Sequence, residues 1–376
     1  MIYRNVLIAF GLIFTLGQLS PVVVDWPIPY IAYGNISERF QELSVSFFQY
    51  TQLAKRAVAL TPEYNSIIFV GDILLARNVE FLMKKNSEEY PFAGLSLKTL
   101  GSRPAVVGNF ESSMLKSHVA TPAYHMKFSV DGALLDGLGS AGFTHLSLAN
   151  NHSLDFGQDA YSYAIEALTE NDFETFGHAT DLNEQSLSYI KTNRGAVALI
   201  GIHASTREPD YDKFKLLMEE ASEKSYLQIV YIHWGAEYIL IHNKVQSHIA
   251  QKLIDNGVDL IIGHHPHVVQ DVALIDDVVV FYSLGNYIFD QYFSKDVQQG
   301  LVVALDVDEV PTLNLFPVSS ETTLSQPKLM EPQQHSDFLQ ELAKRSDPAL
   351  KEAILQGKIP LPRMVATSTE IAIMVQ

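Results

Sequence analysis

The stretch DLIIGHHPHVVQ, residues 259–270, decides the fold of this chain. Its first four residues are typical of the end of a buried strand, and a glycine follows them. Three histidines, His264, His265 and His267, then fall within four positions. Because an imidazole is costly to bury without polar partners, three of them at one strand end indicate a binding site.

Five other apolar runs between Ser66 and Val310 have the same form. Each has the length of a strand, is closed by glycine or asparagine, and carries polar residues just beyond its end. They are SIIFVGD, AVVGNFES, THLSLANNHSLDFG, LQIVYIHWGAEY and VVVFYSLGNYIFDQ. Segments with helical spacing, 157–171 and 245–256, lie between some of them. This alternation predicts an α/β domain with mainly parallel strands, whose sites form outside the carboxyl ends of the strands.

The residue types at these strand ends indicate a metal centre. Neutral imidazole combined with carboxylate and amide oxygen suits zinc, manganese or iron, whereas an all-oxygen cage suits calcium or magnesium. The pattern singles out five of the 13 histidines, namely His152, His233, His264, His265 and His267. We therefore expect one or two divalent ions at this edge of the domain.

Composition excludes several classes of protein. The 376 residues carry a formal net charge of −17 and contain no cysteine. The charge argues against a nucleic-acid partner, because the phosphate backbone would be repelled. The lack of cysteine excludes disulfides, zinc–thiolate sites, iron–sulfur clusters and cysteine nucleophiles.

The first 24 residues differ in kind from the rest. They hold one cation, Arg4, and no acid, and the apolar run 6–16 has the length of a signal-peptide core. We predict an export signal or a membrane anchor at 1–24, with the rest of the chain outside the cytoplasm. Residues 25–65 then form a connector with a helix, 66–310 the α/β domain, and 311–376 a C-terminal extension.

Six motifs in this order, GDILLAR, GNFES, ANNHSLDFG, HWGAEY, GHHPHVVQ and YSLGNYIFDQ, resemble the capsule-synthesis CapA family, called PgsA in poly-γ-glutamate systems. The resemblance covers roughly Ser66 to Val310. That family is similar to calcineurin-like metallophosphoesterases. The resemblance therefore implies a two-sheet β-sandwich flanked by helices, an α-β-β-α arrangement, with a metal site between the strand-end loops.

The resemblance also implies a set of metal ligands: Asp72, Asn109, Glu111, Asn151, His233, His264, His265 and His267. Asn109 stands at the position of a metal-bridging aspartate, with Glu111 as its possible substitute. His267 closes a histidine pair whose first member is either His264 or His265, since alignment on Gly263 favours His264. Two departures matter: Leu74 replaces a histidine of the phosphoesterases, and the bridging carboxylate is shifted or replaced by an amide. Because a bridge needs negative charge to hold two dications, a weaker site, or a site for one ion only, is expected.

Three further residues receive catalytic roles from the same resemblance. His152 is implied as the acid or substrate-orienting group, and Asp155 as the residue that orients its loop or a ligand histidine. Arg77 is expected to grip a phosphate or carboxylate with its forked guanidinium.

Three functions remain open from the sequence. The first is an accessory role in capsule or poly-γ-glutamate synthesis or export. Its partners would be a cell-surface polymer or its precursor, the membrane through the N-terminus, and possible membrane proteins of polymer synthesis. The second is a metal-dependent hydrolase of a phosphoester or of an amide bond in a surface polymer, with His152 as proton donor. The third is a degenerate structural metal site in an interaction module.

Overall fold

The structure is a computed structural model that describes residues 64–122, 124–308 and 310–362. The predicted signal or anchor, nearly all of the connector and the last 14 residues of the chain lie outside these ranges. Within them, no helix combines the length and hydropathy that crossing a membrane requires.

The strands, in chain order, are β1 (Ser66–Ile73), β2 (Pro104–Phe110), β3 (Ser113–Met114), β4 (Ser129–Val130), β5 (His145–Ser147), β6 (Glu174–Phe176), β7 (Leu187–Thr192), β8 (Gly195–Ala204), β9 (Leu227–Trp234), β10 (Leu260–His264), β11 (Val272–Ile275), β12 (Val278–Phe281), β13 (Asn286–Ile288), β14 (Gln299–Asp306), β15 (Thr312–Ser319), β16 (Lys328–Leu329) and β17 (Lys358–Pro360). The α-helices are α1 (Arg77–Lys85), α2 (Leu135–Ala141), α3 (Gln158–Glu170), α4 (Tyr211–Lys224), α5 (Lys244–Ile254), α6 (Pro332–Arg345) and α7 (Lys351–Leu355).

Two large sheets contain most of these strands. The first runs in the order β16-β15-β14-β1-β2-β5-β6, with β13 beside β1 and β17 beside β15. The second runs in the order β11-β12-β10-β9-β8-β7. Strands β1, β2, β5 and β6 are parallel in the first sheet, as are β8, β9, β10 and β12 in the second. Parallel neighbours place their carboxyl ends along one edge of each sheet.

The two sheets pack face to face. Alternate residues of β1 and β9, among them Ile67, Phe69, Ile229 and Tyr231, share one buried apolar cluster. This is the period-two alternation of a strand whose successive side chains point to opposite faces. The space between the sheets is therefore the main core of the domain.

Helices cover the outer face of each sheet. Ile68 and Val70, the alternate residues of β1, lie in a cluster with residues of α1, α2 and α3. On the second sheet, Val230 and Ile232 lie in a cluster with residues of α4 and α5. Helix α5 begins at a capping box, in which the Asn243 side chain accepts from two backbone amides of the first turn. The predicted fold class, an α/β two-sheet sandwich flanked by helices, is confirmed.

The segment after Val310 extends the first sheet. Strand β15 pairs antiparallel with β14 along its whole length, and β16 and β17 pair with β15. Leu313 and Leu315 of β15, and Phe338 and Leu342 of α6, belong to the cluster between the sheets. This part of the C-terminal extension therefore shares the core of the domain.

Two glycines allow the segment 282–286 to lie against the strands that carry the site. A Cβ atom on Gly71 would lie 2.0 Å from the carbonyl oxygen of Gly285, and one on Gly263 would lie 2.1 Å from that of Tyr282. Backbone atoms cannot be displaced as a flexible side chain can. Each glycine precedes a candidate ligand directly, so the close packing fixes where that ligand stands.

Candidate metal centre

The carboxyl ends of β1, β2, β9 and β10 meet between the two sheets and bring the candidate ligands together. Asp72 lies opposite Asn109 in the register of β1 and β2, and His233 lies opposite His264 in that of β9 and β10. Glu111 follows β2 directly. All five side chains are buried.

Asp72, Glu111 and His233 form a compact group, named here the buried triad. Each contributes a ligand atom, and these atoms all lie within 4.8 Å of one another. The Asn109 amide nitrogen donates to Asp72 Oδ1 at 2.8 Å and to Glu111 Oε1 at 3.0 Å, and it lies 3.1 Å from His233 Nδ1. An amide group has two hydrogens, so it cannot satisfy three acceptors at once. Asn109 presents its nitrogen, not its oxygen, to the triad in this arrangement.

Two histidines of the GHHPH stretch contact Asp72 from the other side. His264 Nδ1 lies 3.2 Å from Asp72 Oδ1, without the angle of a hydrogen bond, and His267 Nδ1 lies 3.2 Å from Asp72 Oδ2. His267 Nδ1 is also 3.0 Å from the side-chain oxygen of Asn286. His264 thus lies beside the buried triad, whereas His265 belongs with Glu237 and His267 to a second group of ligand atoms.

Several buried ligand atoms lack a hydrogen-bond partner among the described residues. They are Glu111 Oε2, both ring nitrogens of His264, and His265 Nδ1. A buried polar atom left unpaired costs about 1–3 kcal/mol, and such atoms are rare in proteins. Carboxylate oxygen and imidazole nitrogen are the donors that zinc, manganese and iron bind. The residues present therefore fit a divalent ion.

The pKa shifts suit metal binding. Burial alone would raise the pKa of Asp72, but contacts with His264 and His267 outweigh it and hold that pKa well below its ordinary value. Burial, with the neighbouring charge of His265, lowers the pKa of His233 well below its ordinary value. Burial lowers the pKa of His265 to about 4. At neutral pH the site thus offers the charged carboxylate of Asp72 and the uncharged imidazoles of His233 and His265, the forms that bind a metal.

Glu111 behaves differently from Asp72. Burial, followed by the neighbouring charge of Asp72, raises its pKa well above the ordinary value. Two carboxylates at this distance repel each other when both are ionised. A dication between the two carboxylates would offset that repulsion and would favour the ionised form of Glu111.

A second group of ligand atoms lies at the mouth of the site. Glu237, His265 and His267 each offer one atom, and these atoms lie within 4.8 Å of one another. Glu237 and His265 are partly exposed, whereas His267 is buried. The sequence marked Glu237 as a strand-end residue of HWGAEY, but it was not among the predicted ligands.

A chain of polar contacts joins the buried triad to the predicted acid. His233 Nε2 lies 2.7 Å from the Asn151 side-chain oxygen, and the Asn151 amide nitrogen lies 3.1 Å from His152 Nε2. His152 Nδ1 lies 2.9 Å from Asp155 Oδ2, which also accepts from the backbone amide of Phe128. Asp155 therefore holds the imidazole of His152 in one orientation, with Nε2 directed towards the metal centre.

Arg77 lies near this series of polar contacts, and its side chain is largely buried. Its guanidinium forms a buried ion pair with Asp290 and donates to the carbonyl oxygen of His125 at 3.3 Å. It also lies over the ring of Phe128, 4.6 Å from the centroid, and 5.8 Å from that of Phe289. These contacts use much of its hydrogen-bonding capacity, and the role of Arg77 in gripping a substrate stays a prediction. The sequence did not mark Asp290 as its partner.

Four residues at or near the site have backbone conformations that are strained for residues other than glycine. Arg77, Tyr238, His265 and His267 adopt φ values of 54°, 64°, 95° and 57°. Such conformations cost about 1–3 kcal/mol each for residues other than glycine, and they persist where surrounding structure imposes them. At Tyr238, His265 and His267 they occur where the turn after β9 lies against the loop after β10.

Comparison with known proteins gives consistent matches. The sequence profile of the family described as bacterial capsule synthesis protein PGA_cap matches residues 66–291. The capsule biosynthesis protein CapA of Bacillus anthracis is 29% identical over 258 residues, 63% of this chain and 62% of that protein. The match thus spans less than two thirds of that relative. The PGA biosynthesis protein CapA of Bacillus subtilis is 27% identical over 313 residues, 78% of this chain and 81% of the relative.

Solved structures show weaker similarity. A hypothetical protein from Thermus thermophilus is 13% identical, with a TM-score of 0.44, and the match covers 67% of this chain and 98% of that one. A novel phosphatase from Mycoplasma pneumoniae is 14% identical, with a TM-score of 0.42, covering 71% and 90%. Neither similarity bears on the activity of this chain.

Proposed function

The chain belongs to the bacterial capsule synthesis PGA_cap family, and from that premise we propose that it acts in the synthesis or export of a capsule polymer of the poly-γ-glutamate kind, with divalent metal in its site. The observation that supports the proposal is the buried triad, together with the unpartnered ligand atoms of Glu111 and of the neighbouring His264. The triad lies inside the matched range. The family match and the candidate metal ligands thus fall in the same part of the chain.

The charge of the chain explains why such a protein needs metal. A net charge of −17 repels a polymer of ionised carboxylates. A dication held by Asp72, Glu111 and His233 provides local positive charge that polymer carboxylates or precursor phosphates can bind. In this proposal the ion mediates between an acidic protein and an acidic ligand.

The location and partners belong to the same proposal. Capsule polymers lie outside the cytoplasm, and the apolar residues 1–24 would direct or anchor the chain there. The partners would then be the surface polymer or its precursor and membrane proteins of its synthesis or export.

A second candidate function, hydrolysis, is favoured by the pair His152 and Asp155. A bound divalent ion supplies a Lewis acid that polarises a carbonyl or phosphoryl oxygen. Asp155 holds the ring of His152, and the Asn151 side chain links that ring to His233. His152 is thereby placed to hold a proton and deliver it to a leaving group at the edge of the centre.

We expect Glu111→Gln to abolish polymer formation in cells. The substitution keeps the shape of the side chain but removes the charge that holds an ion beside Asp72. In a deletion strain, the wild-type gene should restore cell-associated γ-linked glutamate polymer, measured after acid hydrolysis, and the variant should not. Glu208→Gln, at an exposed glutamate, is the matched control and should restore it fully.

Equal protein levels of both variants in an immunoblot are required for this comparison. Full restoration by Glu111→Gln would contradict the metal-dependent role.

External protease applied to the same cells should cleave the domain, and its complete protection would contradict the extracytoplasmic location.

A further inference from the structure

A cavity outside the metal centre lies between helix α6 and the loops that follow β9 and β10. Its volume is about 220 Å³, and Leu240 and Val269 of those loops line it together with Phe338 and Arg345 of α6. Val269 stands two residues after His267. The cavity therefore borders the two loops that carry part of the metal centre, but none of the candidate metal ligands lines it.

The guanidinium of Arg345 is incompletely paired. Its Nη2 donates to the carbonyl oxygen of Val269 at 3.0 Å, whereas its Nε is buried without a hydrogen-bond partner. Within the described residues, no carboxylate forms an ion pair with it. Burial lowers the pKa of Arg345, and the charges of Asp271, Asp296 and Glu341 counter that effect only in part. Because a guanidinium has five N–H donors and suits a carboxylate that accepts two of them, Arg345 offers an unused position for a carboxylate.

The remaining charged groups of the cavity have both signs. Lys295, Asp296, Asp337 and Glu341 line it and are exposed to solvent. Together with Arg345, the lining thus has two cations and three carboxylates. A ligand with negative charge alone would be repelled by this net negative lining. A ligand that carries a carboxylate and an ammonium group side by side matches both kinds of charge.

We infer that this cavity binds an α-amino acid group, with its carboxylate on Arg345 and its ammonium on the acids at the entrance, Asp296 and Glu341. Free glutamate carries such a group. The amino end of a γ-linked glutamate chain carries it as well, because the first unit keeps a free α-carboxylate beside its ammonium. This second source rests on the proposed function and deepens it, since the cavity then holds the amino end of the polymer beside the loops of the metal centre.

The test measures binding by isothermal titration calorimetry to the full-length chain in detergent. A chelator is present, so that carboxylates cannot bind through a metal ion. Glutamate and γ-glutamylglutamate should each bind as one molecule per chain. The N-acetyl derivative of the dipeptide and glutarate lack the ammonium group, and both should bind at least about 10-fold more weakly, because a charge-assisted contact is lost.

Two variants test the two halves of the ligand. Arg345→Lys keeps the charge but loses the fork, and should weaken glutamate and the dipeptide roughly 10–100-fold. Glu341→Gln should weaken the same two ligands but not glutarate. Arg207→Lys and Glu352→Gln, at exposed residues outside the cavity, are the matched controls and should bind as the wild type does.

Thermal unfolding of each variant is measured first, because Arg345 also bonds to the loop at Val269. If Arg345→Lys does not fold, the exposed Glu341→Gln decides the result.

The outcomes separate this inference from the proposed function. No binding of glutamate or the dipeptide to the wild type would overturn the inference, as would unchanged binding in Arg345→Lys and Glu341→Gln. Glutarate bound as tightly as glutamate would overturn the amino-acid assignment. Binding of free glutamate with exclusion of the dipeptide would overturn the polymer end as the ligand. Since metal is excluded, each of these results leaves the metal-dependent role standing, which fails separately if Glu111→Gln restores polymer in cells.

Discussion

His152→Ala should lower hydrolysis by roughly 10²–10⁴-fold, the usual contribution of a positioned acid or base, while metal content stays at the wild-type level. The ring of His152 is held by Asp155 at 2.9 Å and packs on Phe128, with centroids 3.9 Å apart. His152 is not a member of either ligand group. Its loss therefore removes proton transfer without removing a ligand.

The measurement uses γ-linked glutamate oligomers and p-nitrophenyl phosphate esters as substrates, with metal content measured in parallel. Asp155→Asn should give a smaller loss, because the imidazole stays but its orientation is no longer fixed. The control is His248→Ala, at an exposed histidine, which should keep full activity. If His152→Ala retains full hydrolysis, His152 is not the proton donor. If the wild type hydrolyses neither substrate and His152→Ala restores full polymer formation, the accessory role alone stands.

His233→Ala should remove metal-dependent stability almost completely. His233 supplies one of the three ligand atoms of the buried triad, and its loss leaves only the two carboxylates. A ligand that binds only the folded state stabilises it by about 2.7 kcal/mol at a concentration 100-fold above its Kd. The wild type should show a gain of about that size in its free energy of unfolding, and the variant should show almost none.

Urea unfolding with and without manganese measures this difference. Comparing each protein with its own metal-free form cancels the separate cost of deleting a buried side chain. His248→Ala should keep the full gain. An equal gain in His233→Ala and in the wild type would show that the stabilising ion is bound elsewhere.

Much of the fold and site follows from local pattern. Apolar runs closed by glycine and polar residues marked the strand ends that carry Asp72, His233 and His264, because buried parallel strands require such runs and end at sites. Helices α3 and α5 followed from their spacing of apolar residues. The face-to-face packing of two sheets was predicted from the family resemblance and not from these local patterns.

The arrangement within GHHPH could not be read from the sequence. A continuing strand would place His265 and His267 together on one face and His264 on the other. Positive φ values at His265 and His267 end that alternation, so that His264 and His267 both contact Asp72. The loop is also tied to the turn after β9 by the hydrogen bond from the Tyr238 amide to the Pro266 carbonyl oxygen, a contact that the local sequence does not reveal.

Long-range pairing hid two other features. Arg77 and Asp290 are 213 residues apart, and nothing in either local sequence marks the other as its partner. Strand β15 contains Pro317, which disguised the alternation of Leu313 and Leu315. Its pairing with β14 makes it a strand, which could not be predicted from its own sequence.

The most direct measurement is a crystal structure of the zinc-loaded protein with anomalous scattering collected at the zinc edge. The account predicts an anomalous peak within about 2.0–2.2 Å of ligand atoms of Asp72, Glu111 and His233. A fully zinc-loaded crystal with no peak between these three residues, or with zinc bound only at distant surface groups, would contradict the central claim.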